Sequence, residues 1–124
     1  MALLFRSGPR TPKNFTPRLD VDTVSRSGST PGLSLYDSRE AFGVPGTVKF
    51  QIIDTDRLGP SLRAFPDDPD TGGIAGHWCI APVDELGSVD TMALKEWAES
   101  RITGTLHPYT EIVFRAIVRE EKGL

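Results

Sequence analysis

Apolar positions in this chain fall in short runs, parted by long stretches rich in proline, glycine and hydroxyl residues. Ala2 to Arg6 is the first such run and suits a buried strand. From Ser7 to Thr30 neither a helical nor a strand period appears, which predicts a long loop. A loop of that length in a small domain acts as a binding loop, a lid or a disordered insert. After the Pro31-Gly32 turn signal, Leu33-Ser34-Leu35-Tyr36 alternates apolar and polar groups as a strand does, and Asp37 to Phe42 offers a capped helix of one or two turns. Thr47 to Ile53 alternates again, with Val48, Phe50 and Ile52 directed inward and Lys49 and Gln51 outward.

Asp54 to Gly76 reads as a polar loop excursion with room for a short helical turn, anchored by Leu58, Leu62 and Phe65. His77 to Ala81 is a short, mostly apolar run closed by Pro82, as expected of a central strand buried on both faces. The clearest helix runs from Asp90 to Arg101, capped by Ser88 or Asp90 and stopped by Gly104. Its Leu94, Trp97, Ala98 and Ile102 lie inward, with Lys95, Glu96 and Glu99 in water. Tyr109 to Arg119 alternates strictly, which predicts a final strand with Glu111 at its mouth. Strands without regular strand-helix alternation predict an α+β domain with a mostly antiparallel or mixed sheet and one main helix.

The chain's 124 residues suit a single domain, 1–124, with residues 7–30 as its long loop. No window reaches the length of a membrane span, and Arg6 interrupts the opening apolar run too early for a signal-peptide core, so a cytoplasmic, reducing location is expected. A single cysteine, Cys79, excludes an internal disulfide and a cysteine-based zinc site, and the two histidines lack metal-ligand spacing, so no metal is expected. The net charge of -3 argues against a protein that coats nucleic acid. The charge is uneven, however: residues 1–63 hold nine Lys and Arg against six Asp and Glu, so an anion site belongs in the first half.

Four polar residues stand at the ends or inside of expected strands, where rigid elements hold reacting groups best. Arg6 can grip a phosphate or carboxylate bidentately or serve in a structural ion pair. Ser34 follows Gly32, which permits close approach of a ligand to the backbone. His77 can act as donor, acid or base near neutrality, and Glu111 can stabilise a cationic transition state. His107, before Pro108, is expected in an exposed turn. Asp54-Thr55-Asp56 and Asp67-Asp68-Pro69-Asp70 are expected to be solvated turns, and Cys79 a core residue.

Leu4-Phe5-Arg6, Pro31-Gly32-Leu33-Ser34-Leu35-Tyr36-Asp37 and Gly76-His77-Trp78-Cys79-Ile80-Ala81-Pro82, in that order, resemble small bacterial toxins with an ADP-ribosyltransferase-like fold, including a group delivered by type VI secretion. The resemblance implies a split, mostly antiparallel sheet that binds NAD as substrate, cleaves its nicotinamide bond and passes ADP-ribose to a protein or nucleic-acid target, or to water. It assigns Arg6 to the NAD phosphate or ribose, Ser34 to the nicotinamide ribose, Tyr36 to stacking on nicotinamide and Glu111 to the oxocarbenium ion. His77 matches a histidine of the secreted group. The chain departs from the pattern in that leucines flank Ser34 and Tyr109-Thr110 precedes Glu111, which speaks against arginine as acceptor. An effector of this kind also implies a cognate immunity protein or antitoxin, and delivery into a target cell. Two other classes fit the residues: a small nuclease toxin using His77 with Arg6 and Arg115, and a non-catalytic toxin-antitoxin binding module whose proline-rich first loop makes the contact.

Overall fold

Among the described residues, six strands form one antiparallel sheet in the order β4-β5-β2-β1-β3-β6, with two α-helices. This computed structural model describes residues 2–38, 40 and 49–122. The strands are β1 Leu3–Ser7, β2 Leu33–Tyr36, β3 Lys49–Asp54, β4 Leu62–Pro66, β5 His77–Pro82 and β6 Ile117–Lys122, and the helices are α1 Thr91–Thr103 and α2 Pro108–Arg115. The α+β class and the antiparallel sheet agree with the sequence reading. The helix expected from Asp37 to Phe42, and Thr47-Val48 at the start of the third expected strand, extend into residues outside the described range.

The strands are unequally joined. β1 opposes β3 over five residue pairs and β5 opposes β4 over five, whereas β1 and β2 meet only at Phe5↔Tyr36. The sheet thus consists of two three-stranded groups held together along a narrow seam. Because directly opposed residues share a face, the pairs Ser34↔Cys79 and Tyr36↔His77 put these four side chains on one face of β2–β5. Leu33, Leu35 and Ile80 occupy the other face, in the core with Leu94 and Trp97 of α1 and Val113 of α2.

The last expected strand is a helix followed by a strand. His107 accepts a hydrogen bond from the Tyr109 N–H and Pro108 occupies the first turn, so the chain enters α2 with its start already shaped for helix. Glu111 therefore lies in the first turn of α2 and not at a strand mouth. Alternation over a short apolar run fits either element, and the proline was the deciding signal. β4, read as part of an excursion, lacks β-branched residues and ends in Pro66; it is an edge strand, where a missing donor is tolerated. Leu58 and Leu62 are buried as expected, and Asp54 and Asp68 each cap a short 3-10 turn.

Two inward-outward assignments are reversed. Gln51 is completely buried because β3 lies inside the sheet between β1 and β6; its amide donates to Glu120 Oε2 at 2.6 Å. Ile102 is 73% exposed, and it is Arg101 in that last turn that reaches back, donating to the Lys13 carbonyl. Asp90 caps α1 and Gly104 ends it at φ 73°, as read from the sequence.

The long first loop is packed against the rest of the molecule. Phe15 is fully buried, edge-on to Phe114, and the Thr16 and Thr110 hydroxyls are 2.8 Å apart. Farther along, Gly28 rests against the hairpin between β4 and β5, where its carbonyl accepts from the Asp68 N–H at 2.7 Å.

Candidate functional site

The face of β2–β5 turned away from the helices opens into a cavity of about 200 Å³, closed over by residues of the first loop and by the β4–β5 hairpin. Ser34, Tyr36, His77, Cys79 and Asp67 form one wall, and Arg18, Asp22 and Arg26 come from the first loop. At its centre Ser34 Oγ and His77 Nε2 are 2.6 Å apart, and His77 Nδ1 is 2.9 Å from Asp67 Oδ2. The Tyr36 ring stands edge-on to the imidazole at 5.1 Å between centroids.

Asp67 is the residue that the sequence reading misplaced. Its side chain is 2% exposed and not in a solvated turn, since the β4–β5 hairpin carries it across from His77 and the Asp67 N–H donates to the His77 carbonyl at 2.8 Å. Burial opposes its ionisation. Hydrogen bonds from the Ile74 N–H and the Ser29 hydroxyl, with the His77 contact, outweigh burial and hold the carboxyl below the ordinary carboxylate range. The contact is short, but its geometry is not that of an aligned hydrogen bond, and His77 Nδ1 is buried.

Arg6 and Glu111 do not join this cluster. Arg6 follows Phe5, which opposes Tyr36, so its guanidinium lies at the narrow β1–β2 seam. There it donates to the Asn14 carbonyl at 2.7 Å and, across the seam, to the Ser34 carbonyl at 2.6 Å. Desolvation lowers Arg6 to about 10, which leaves it charged at neutral pH. It braces the strand that presents Ser34 and is absent from the cavity lining. Glu111 pairs with Arg115 at 3.6 Å on the exposed side of α2, and neither lines the cavity. His107 is a partly buried helix cap instead of a group in an exposed turn.

Cys79 is buried as expected, and desolvation pushes its thiol up to about 12. It also forms part of the cavity wall, which its apolar sequence neighbours did not suggest. Arg18 and Arg26, from the more basic first half, line the cavity: Arg18 is half exposed beside Asp22, and Arg26 is exposed. A signal for Asp67 did exist. Had Leu62 to Pro66 been paired with His77 to Pro82 as a hairpin, register alone would have set Asp67 opposite His77. No family model, curated protein or solved structure matches the chain.

Proposed function

We propose that the protein is an NAD-cleaving enzyme of the ADP-ribosyltransferase-like kind, acting as a toxin or effector domain. The observation that carries this reading is the Ser34–His77 pair, 2.6 Å apart, with Tyr36 against the imidazole in one enclosed recess. Three of the side chains singled out by the family resemblance thus share one wall, although they come from two strands 43 residues apart. The narrow β1–β2 seam suits a split sheet. A recess of this volume admits the nicotinamide end of NAD, with the rest of the molecule along the mouth.

In this reading Arg18 and Arg26 attract the pyrophosphate, Tyr36 faces the nicotinamide, and Ser34, positioned by His77, holds a ribose hydroxyl. Nicotinamide departs as a neutral base from a cationic ring, so the step needs no general acid. What it needs is stabilisation of positive charge on the ribose, and Asp22 in the cavity wall supplies negative potential for that purpose. Asp22 replaces Glu111 in that role, and Arg6 becomes a positioning residue for Ser34. An enzyme that consumes NAD in this way requires a neutralising partner in the cell that makes it.

A second reading rests on the order Ser34, His77, Asp67, which is that of a nucleophile, a base and its orienting acid. Acyl transfer also needs free N–H groups for an oxyanion, and those of Gly72, Gly73 and Ile74 at the cavity wall are already donated to acceptors. The test is nicotinamide release, and transfer of adenine-labelled ADP-ribose to lysate macromolecules, in the wild type, Ser34→Ala and His77→Ala. We expect release in the wild type and a loss of about 100-fold or more in both variants. Covalent labelling of Ser34 by a fluorophosphonate, with no nicotinamide released, selects the hydrolase reading.

A further inference from the structure

His77 and Cys79 are two residues apart on β5, so the pleat directs both to the cavity face, and the hairpin brings Asp67 to the same place. Their ligand atoms, a carboxylate oxygen, an imidazole nitrogen and a sulfur, all lie within 4.8 Å of one another. Against the sequence expectation of no metal and no cysteine-based zinc site, we propose that Asp67, His77 and Cys79 form a three-ligand site for a divalent cation of the zinc class, its fourth position open to the cavity.

Three features bear on this. The donor set matches a borderline-soft cation, for a hard cation such as calcium or magnesium takes oxygen ligands and leaves a thiol aside. The His77 Nδ1 is buried, 2.9 Å from Asp67 Oδ2 without an aligned hydrogen bond, so two of the three ligand atoms already face each other. The outer contacts are those of a metal site: Ser34 Oγ stands at Nε2 to fix the ring, while the Ser29 hydroxyl and Ile74 N–H hold Asp67. On binding, Cys79 releases its thiol proton to solvent, the imidazole proton resides on Nε2 and is donated to Ser34 Oγ, and the metal takes Nδ1, a carboxylate oxygen and the thiolate.

The test is made on the full chain without NAD, so its outcome and that of the NAD reading are separate. Protein stripped of metal is titrated with Co²⁺ and then with Zn²⁺. The expected result is one equivalent of Co²⁺ with a thiolate-to-cobalt charge-transfer band that Zn²⁺ abolishes. Cys79→Ser loses the band, Asp67→Asn weakens binding, and Ser34→Ala retains the band with about 10- to 100-fold lower affinity. In the wild type, Zn²⁺ also slows thiol alkylation of Cys79 by tenfold or more, a readout that needs no folded variant. Absence of the band in folded wild type, an alkylation rate indifferent to Zn²⁺, or equal Co²⁺ affinity in Cys79→Ser and wild type would each overturn the site.

Discussion

Thr110 shows how much a single hydroxyl can join. It accepts from Trp97 Nε1 at 2.9 Å, lies 2.8 Å from the Thr16 hydroxyl and is within 3.4 Å of the Phe15 carbonyl, so α1, α2 and the first loop meet on one buried oxygen. Thr110→Val keeps the shape and leaves the indole N–H without an acceptor, so we expect a loss of about 1–3 kcal/mol in denaturant unfolding. Thr110→Ser, which keeps the oxygen, should lose less. No pattern rule marked this threonine, because its neighbours come from segments up to 95 residues away. Ser34 and His77 were legible as residues whose type and strand position invite chemistry. That they touch each other was not, since pairing is a property of register.

Among the elements, α2 carries a pH-sensitive end. His107 Nδ1 accepts from the Tyr109 N–H, which requires the unprotonated nitrogen, and desolvation lowers its pKa below the ordinary histidine value of 6.5 despite the opposing charge of Glu96. The neutral imidazole is therefore the form that the fold prefers. Its contribution is complete above pH 6.5 and declines as pH falls from there through the lower folded pKa. In denaturant unfolding we expect the wild type to lose stability as pH falls below 6.5 relative to His107→Asn, whose amide caps without titrating. At neutral pH, His107→Ala should cost about 1 kcal/mol. The cap also explains why the alternating run after Tyr109 gave the wrong element: Ile112, Phe114, Ala116 and Val118 satisfy a strand's period, but His107-Pro108 start a helix before that period can act.

On the scale of the whole molecule, the cavity exists because two loops close on each other. Gly28, at φ 74°, passes so near the hairpin that an added Cβ would fall 2.2 Å from the Gly73 nitrogen. Gly28→Ala meets both a left-handed backbone and a backbone clash, which only a shift of one loop relieves. Limited proteolysis should then cut the Arg18–Gly32 stretch at least tenfold faster than in the wild type, while far-UV circular dichroism stays close to it. Unchanged cleavage would mean that the loop is held without this contact. No helix among the described residues is long and apolar enough to cross a membrane.

The sequence by itself determined the local elements whose signals lie within a few residues: β1, β2 and β5 from their apolar runs, α1 from its period, its Asp90 cap and Gly104, and the α+β class from their order. Only tertiary structure decided that Gln51 is buried, that Asp67 stands against His77, that Arg6 donates to the Ser34 carbonyl and that Glu111 lies elsewhere. The physical reason is range. Helix caps and side-chain period act over a turn or a strand, whereas strand neighbours are chosen by the combined burial of distant segments, and the candidate site belongs entirely to those choices.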